Sequence, residues 1–320
     1  MRLNPLLGGL VLLLIYIVFS CTNSEKKGSN ESKYCVVYNA LVPENDTVNY
    51  EVFARSWDGQ KIINLTQIPA VDWVCHGWKN KIYFISDRDT TGGIYFLYRY
   101  DLNNQAVTRM DQHRMANSWL DSRNDGAELV ICRQMGDFRS FAIIDSTGYE
   151  VREILRTNQY EISDPAFSPD GKWIVYRSTR SGVDELWIAD ELGSHQRQIT
   201  HYPPNLEDPG TDFYHAGPPR WKPGTNIISY TSRRGNQYHI FSINADGTQN
   251  IQLTRDPGNQ GWHSWSLDGK YLIYDGDKGN NSPVDLFLLK MENQHLEQMT
   301  KTPFPERAPF FLEYHLLPLS

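Results

Sequence analysis

A unit of four short, mostly apolar segments recurs along the chain and constrains its fold more than any other feature. The clearest copy covers residues 164–200, two further copies cover residues 218–254 and 262–300, and weaker copies begin near Asp72 and Ala116. The positions that close successive units are Thr66, Asp111, Thr157, Thr200, Thr254 and Thr300. This period of roughly 45 residues is typical of the four-stranded blades of a β-propeller.

Each unit reads as four strands separated by turns. The first strand is short and is predicted to end on an aromatic residue, at Trp78, Trp119, Phe167, Trp221 and Trp265. A Ser-Pro-Asp-Gly turn or a variant follows, and its Pro, Asp and Gly supply the backbone angles of a tight reversal. The later segments alternate apolar and polar residues, and the last is predicted to end in Thr. No sustained helical period is present, so an all-β fold is predicted.

The two ends of the repeat array complement each other. Residues 34–66 supply only the last three strands of a unit, whereas residues 306–314 repeat the first-strand pattern with Phe311 in the aromatic position. We therefore predict a six-bladed β-propeller of four-stranded antiparallel blades that the C-terminal strand closes. Closure leaves few exposed strand edges to pair wrongly.

The N-terminus has the pattern of an exported lipoprotein. A basic start is followed by an apolar run at residues 6–19, which ends within Val18-Phe19-Ser20-Cys21, a segment that resembles the lipobox of bacterial lipoproteins. We predict a signal peptide at 1–20, a lipid on Cys21, a flexible tether at 21–33 and a propeller at 34–320. An uncleaved anchor and ordinary secretion are the alternatives. Because Thr22 is not the Asp linked with inner-membrane retention, the outer membrane is favoured.

Charge and cysteine content exclude several classes. The formal net charge of −7 argues against a nucleic-acid binder, since phosphate contacts need a basic surface. Cys35, Cys75 and Cys132 are odd in number and far apart, so they predict neither a disulfide framework nor a metal site but small apolar residues in strands.

The loops suggest which face binds. In such blades, the loop between strands two and three and the connection to the next blade lie on one face, here named the long-loop face. The other turns lie on the opposite, short-turn face. Longer stretches at residues 40–49, 87–93, 202–214 and 275–284 all fall on the long-loop face. Binding residues concentrate on irregular loops, so we expect the ligand there.

Five polar residues are predicted to rim the channel on the long-loop face. They are the ligand-binding candidates Asp72, His76, His215, Arg220 and His263. Hydrogen-bonded or packed histidines are the alternative. The Ser-x-Arg triplets at residues 86–88 and 178–180 are interpreted as structural, with arginines that bridge loops or blades. No catalytic, cofactor or metal-binding residue is assigned.

The units at 164–200 resemble the Pro-Asp repeats of TolB-like propellers, and the resemblance covers residues 34–315. TolB itself carries an α/β domain ahead of its propeller, which this chain is expected to lack. The resemblance therefore implies the architecture and an envelope location more than a shared partner. Certain polysaccharide lyases of similar fold hold a catalytic metal with inner-strand histidines, but His215 does not occupy the repeat position of His76 and His263.

Three functional hypotheses remain. The first is a monomeric scaffold or binding module that recognises an envelope protein or a glycan. The second is a carbohydrate-active enzyme of the metal-dependent polysaccharide lyase type that uses the propeller channel. The third is an assembly factor for an outer-membrane complex. No nucleophile elbow and no phosphate-binding glycine loop is present, which favours binding over catalysis.

Overall fold

The structure is a computed structural model that describes residues 33–44, 47–90, 92–203, 214–279 and 282–313. The predicted lipobox, Cys21 and nearly all of the tether lie outside the described residues, as do residues 204–213 of the predicted insertion. No helix in the described part of the chain is long and apolar enough to cross a membrane.

Six antiparallel sheets form the blades of one ring. Blade 1 contains β1 (Tyr34–Glu44), β2 (Thr47–Ser56), β3 (Ile62–Asn64) and, as its innermost strand, β25 (Glu306–Glu313). Blade 2 contains β4 (Asp72–Trp78), β5 (Lys81–Ser86), β6 (Phe96–Asp101) and β7 (Ala106–Arg109). Blade 3 contains β8 (Arg114–Met115), β9 (Asp121–Arg123), β10 (Glu128–Met135), β11 (Phe138–Asp145) and β12 (Glu150–Thr157).

The other three blades follow in chain order. Blade 4 contains β13 (Ile162–Phe167), β14 (Trp173–Ser178), β15 (Glu185–Asp190) and β16 (Arg197–Gln198). Blade 5 contains β17 (Gly217–Trp221), β18 (Ile227–Arg234), β19 (Gln237–Asn244) and β20 (Ile251–Gln252). Blade 6 contains β21 (Gln260–Trp265), β22 (Tyr271–Gly276), β23 (Asp285–Lys290) and β24 (His295–Gln298). The all-β, six-bladed prediction is confirmed.

The C-terminal strand closes the ring as predicted. β25 pairs with β1 in an antiparallel register that places Phe311 opposite Val36. Phe167 and Ile174 are paired in the same way in blade 4, so Phe311 does occupy the aromatic position of the repeat. The first and last described strands therefore depend on each other for their hydrogen bonds.

Local chemistry explains the repeat. The Oγ1 atoms of Thr200 and Thr254 accept hydrogen bonds from the backbone N–H groups of Leu186 and Ile240, on the third strands of their blades. At five of the six closing positions the residue lies two residues beyond the end of the fourth strand, and not within that strand as predicted, whereas Thr157 is the last residue of β12. A buried N–H group without such a partner costs free energy, which explains why the position recurs.

Two sequence-based predictions of strand boundaries are wrong. Residues 40–44 and 47–49 are not a loop, because they belong to β1 and β2, which pair Leu41 with Tyr50. Trp119 does not end a first strand, since the innermost strand of blade 3 is split into β8 and β9 with Trp119 between them. Ser122 takes the aromatic position instead, opposite Leu129. Trp119 turns into the channel, and its indole N–H donates to the carbonyl oxygen of Pro219.

The core lies between the blades. Tyr38, Tyr176, Tyr230 and Tyr274 lie on second strands and are each at most 2% exposed. Burying an aromatic side chain of this size contributes about 1.5–3 kcal/mol, and its position between two sheets ties neighbouring blades together. Cys35, Cys75 and Cys132 are all buried, unpaired with each other and within strands, as predicted.

Candidate functional site

Arg220 fills the centre of the ring from blade 5. Its guanidinium group donates hydrogen bonds to the carbonyl oxygens of Leu120 (2.9 Å) and Cys75 (3.1 Å). Its central carbon lies 3.6 Å from the centroid of the Trp119 ring. Burial lowers the pKa of Arg220 to about 10, so the side chain stays charged at neutral pH. The cavity left around these groups is about 10 Å³, which barely admits one water molecule.

Two of the candidate histidines are neutral groups inside the channel. His76 Nε2 lies 2.8 Å from the hydroxyl of Ser122, and His263 Nε2 lies 2.8 Å from the hydroxyl of Ser229. Burial, followed by the positive charge of Arg220, lowers the pKa of both histidines to about 3. Each ring is hydrogen-bonded within the protein and carries no charge at neutral pH.

Asp72 is held in an ion pair within its own blade. Arg88 donates to both carboxylate oxygens of Asp72 at 2.9 Å, and its Nε donates to the hydroxyl of Ser86. Burial raises the pKa of Asp72, and the positive charge of Arg88 opposes this rise. The triplet at residues 86–88 thus joins two strands of one blade, in agreement with a structural role, and it does not bridge blades.

His215 lies apart from the other two histidines. It precedes β17, its ring centroid lies 4.5 Å from that of Tyr202, and its carbonyl oxygen accepts from the hydroxyl of Ser232. His215 therefore packs against Tyr202, which follows the last strand of blade 4. The described residues contain no group of three or more His, Cys, Asp or Glu side chains that could hold a metal ion.

The predicted rim on the long-loop face is wrong for three of its five members. Inner strands run from the long-loop face toward the short-turn face, and each residue advances along them by about 3.3 Å. His76 is the fifth residue of β4, and Arg220 and His263 are each the fourth residue of their strands. These three lie inside the channel, whereas Asp72 and His215 lie at its long-loop end.

A pocket of about 450 Å³ opens on the long-loop face where blades 5, 6 and 1 meet. We name it the long-loop pocket and define it by Tyr214, Tyr238, Trp262, Asp275 and Arg307, which all line it. Its volume falls within the range of about 300–1,000 Å³ that is usual for small-molecule sites.

Aromatic rings form one side of this pocket and continue beyond it. The rings of Tyr214 and Tyr238 meet edge to face with centroids 6.1 Å apart. Trp262 contacts Trp73 at 5.3 Å, and Trp73 in turn contacts Tyr50 at 4.8 Å. A row of flat side chains therefore runs from the pocket across the channel mouth, and such rings offer apolar faces to a ligand.

Asp275 holds the pocket together from below. Its side chain is buried, its Oδ2 accepts from the backbone N–H of Ala308 at 2.8 Å, and the backbone N–H of Trp262 also bonds to it. Burial raises the pKa of Asp275 to about 6, and the nearby Arg307 opposes this shift. Because Asp275 binds the chain beside Arg307 and at Trp262, it fixes two walls of the pocket relative to each other.

The short-turn face has a separate cavity of about 620 Å³, here named the short-turn funnel. Trp78, Phe167, Trp221 and Leu267 line it, with Asp121 among the remaining lining residues. Asp121 accepts from the backbone N–H groups of Phe167 and Ser122, and burial raises its pKa to about 6. The filled channel around Arg220 lies between this funnel and the long-loop pocket.

Sequence reasoning missed Trp262, Trp73 and Arg307. Trp73 and Trp262 are aromatic residues on inner strands that do not occupy the repeat position. Such additional aromatics were the available signal, because the repeat does not require them. Arg307 carried no signal, since only ring closure brings β25 next to blade 6.

Comparison with known proteins agrees with this architecture. No family model matches the chain. The Tol-Pal system protein TolB of Desulfosudis oleivorans is 32% identical over 114 residues, which is 35% of this chain and 23% of that protein. The match thus spans about a quarter of that relative's length.

Solved structures extend the likeness over most of the chain. TolB from Acinetobacter baumannii superposes with a TM-score of 0.66 at 16% identity, covering 86% of this chain and 66% of that one. An oligogalacturonate lyase in complex with manganese superposes with a TM-score of 0.54 at 17% identity, covering 78% of this chain and 70% of the lyase. At these identities, the likeness concerns the fold.

Proposed function

Because the chain is a TolB-like six-bladed β-propeller, we propose that it is an envelope-anchored lipoprotein that binds a protein or a glycan in its long-loop pocket. The observation that carries this proposal is the pocket itself, about 450 Å³ in volume and walled by Tyr214, Tyr238 and Trp262. Concave sites with aromatic walls and a few polar groups are the usual form of binding sites.

The polar groups of the pocket favour binding over catalysis. Asp275 is occupied by backbone N–H groups, and Asp277 accepts from the backbone N–H groups of Asn259 and Gly279. Acids held in this way stabilise loops and are poorly placed to transfer protons to a ligand. A pocket with rigid walls, whose carboxylates are already hydrogen-bonded to the protein, is better suited to binding a ligand than to catalysis.

The proposed lipid anchor would hold this pocket near a membrane surface. Lipidation of Cys21 would hold the propeller at the bilayer, because acyl chains contribute about 0.8 kcal/mol per buried CH₂ group. The polar stretch at 21–33 contains Ser, Asn, Lys and Gly and would let the propeller reach partners in the envelope. The outer membrane is the proposed location.

Capture from the native envelope tests the proposal. Full-length, lipidated protein with a C-terminal tag is crosslinked in cells, and co-purified proteins and glycans are compared between wild type, Trp262→Ala and Trp173→Ala. Trp173 is a matched control because it is 36% exposed on β14 and does not line the long-loop pocket. We expect a component that wild type and Trp173→Ala retain and Trp262→Ala loses.

The behaviour of Trp262→Ala could also contradict the proposal. If Trp262→Ala folds, as judged by its thermal unfolding and circular dichroism, and still captures every component that wild type captures, the long-loop pocket is not the binding site.

A further inference from the structure

Arg307 presents an unengaged guanidinium group to the long-loop pocket. It lies on β25, lines the pocket and is half-buried. Among the residues that the structure describes, its side chain has no hydrogen-bond or ion-pair partner. The guanidinium carbon lies 6.0 Å from the centroid of the Trp262 ring, and its charge opposes the rise in the pKa of Asp275. Its five N–H donors are therefore available to a ligand.

Other arginines near the channel are engaged. Arg177 on β14 forms ion pairs with Asp164 and Asp184 at 2.6 and 3.0 Å. Arg220 donates to two carbonyl oxygens inside the channel. No guanidinium nitrogen of Arg307 is buried without a partner, whereas Nε of Arg220 is, so the Arg307 guanidinium group remains accessible from the pocket. Arg307 differs from Arg177 and Arg220 in that its guanidinium group makes no hydrogen bond or ion pair with the described residues and faces the long-loop pocket.

The acids of the pocket do not compete for Arg307 at short range. No oxygen of Asp275 lies within ion-pair distance of it, and Asp275 bonds instead to the backbone of Trp262 and Ala308. Asp277 is bonded to Asn259 through both its backbone and its side chain. Of the charged groups that line the pocket, Arg307 is thus the one whose side chain makes no hydrogen bond to the described residues. The complementary ligand group is a carboxylate, whose two oxygens match the guanidinium fork.

The aromatic walls define the body of the ligand. Trp262 lies beside Arg307, and the edge-to-face pair of Tyr214 and Tyr238 lies across the same pocket. A pyranose ring has an apolar C–H face that buries well against an indole, while its hydroxyl groups remain in water at the open mouth.

We propose that the long-loop pocket binds a carboxylated sugar. Arg307 pairs with the carboxylate of this sugar, and Trp262 packs against the apolar face of its ring. This inference rests on the proposed binding function and names the ligand class of that same pocket. The pairing of the carboxylate with Arg307 orients the sugar in the pocket, and the apolar surface that the ring buries contributes to the binding free energy.

A peptide C-terminus shares the carboxylate but fits the pocket less well. It would bring backbone N–H and C=O groups that need partners. The two side-chain amides that line the pocket are already engaged: Gln260 bonds to His239 and Thr254, and Asn259 bonds to Tyr238 and Asp277. The structure therefore favours the sugar.

Matched sugars test the inference on the full-length protein in detergent. Calorimetric titration compares methyl β-D-glucuronide with methyl β-D-glucoside, which differ only at C6, where the first has a carboxylate and the second a hydroxymethyl group. N-acetyl-dialanine, with a free C-terminal carboxylate, is the peptide probe. We expect the glucuronide to bind at least tenfold more tightly than either other probe at low salt.

Two arginine variants assign the effect. Arg307→Gln keeps the length of the side chain and removes its charge, so it should abolish the preference for the glucuronide. Arg255→Gln removes an exposed charge between blades 5 and 6 outside the pocket and should retain it. Both variants are checked by thermal unfolding before titration.

The outcomes separate this inference from the proposed function. The carboxylated-sugar assignment would be overturned if the two sugars bound equally, if neither bound, or if N-acetyl-dialanine bound more tightly. It would also be overturned if Arg307→Gln kept the preference for the glucuronide. The binding function itself would still stand if Trp262→Ala alone lost its envelope partner, and it would fall if that variant captured everything wild type does.

Discussion

The guanidinium carbon of Arg220 lies 3.6 Å from the ring centroid of Trp119, and this contact fills the centre of the propeller. Arg220 comes from blade 5 and Trp119 from blade 3, so the contact crosses the ring. A stacked arginine of this kind combines cation–π attraction with packing. In the part of the chain that the structure describes, the long-loop pocket and the short-turn funnel are consequently separate cavities, with the filled channel between them.

We expect Arg220→Met to lower the free energy of unfolding by about 2 kcal/mol, because it leaves the buried carbonyl oxygens of Cys75 and Leu120 without donors. Relief of the cost of burying the charge offsets part of this loss. Urea unfolding at neutral pH measures the change. Arg255→Met, at an exposed arginine, is the control and should change stability by less than about 0.5 kcal/mol. Equal stability of both variants would show that Arg220 does not brace the ring.

Deleting residues 306–320 should unfold the whole propeller cooperatively. β25 supplies the innermost strand of blade 1, and Phe310 and Leu312 are buried in the core between blades 1 and 2. Without it, β1 loses one edge of its pairing and both neighbouring cores are exposed. Thermal unfolding followed by circular dichroism measures the effect.

The matched control for this truncation removes residues 314–320 and leaves β25 complete. It should melt like the intact protein. If the longer deletion also melted at the same temperature as wild type, closure of the ring by the C-terminal strand would contribute nothing to stability.

The sequence predicted the architecture because its signals are local. Thr200 satisfies a backbone N–H group of its own blade, and Asp170 accepts from Ser168 and from the N–H of Lys172 in the turn. Such requirements recur with every blade and can be counted. Trp119 was misassigned because its position depends on Arg220 from across the ring, a contact that no local pattern reports.

The site was harder to predict for the same reason. Asp72 and His215 lie at the predicted end of the channel, but contacts with Arg88 and Tyr202 occupy them. Trp262 and Arg307 are separated by 45 positions in the sequence. They meet only because β25 closes the ring beside blade 6. A repeat pattern gives the blades, whereas the pocket arises between them.

Cys21→Ser should move the protein from the membrane fraction to the soluble fraction. The lipid on the Cys21 thiol is the proposed anchor, and serine offers no thiol to modify. Cell fractionation and metabolic labelling with radioactive palmitate measure the outcome. Cys35→Ala is the control, because Cys35 is buried in β1 and its labelling state should not change. A Cys21→Ser protein that remained labelled and membrane-bound would contradict the anchor.

The stability of the propeller should contain a pH-dependent contribution from Asp275. Its pKa is about 6 in the folded protein, raised by burial from an ordinary value of 3.8. A raised pKa means that the folded state favours the protonated acid, so this contribution is fully present below pH 3.8 and is lost as the pH rises through 6. Between pH 4.5 and 7.5 the loss amounts to about 2 kcal/mol, since one pKa unit is worth about 1.4 kcal/mol.

Comparison with Asp275→Asn isolates this contribution. Asp121 titrates in the same direction and His76 and His263 in the opposite one, but all three remain in both proteins and cancel in the difference. Urea unfolding at pH 4.5 and 7.5 should therefore show a decrease in the free energy of unfolding that is about 2 kcal/mol larger for wild type than for the variant. The test compares only how much each protein's free energy of unfolding changes between the two pH values. A hydrogen bond lost in Asp275→Asn lowers the stability of the variant at both pH values and therefore does not affect this comparison. Equal changes in the two proteins would mean that Asp275 has an ordinary pKa and is not the buried acid that fixes Trp262 and Arg307 around the pocket.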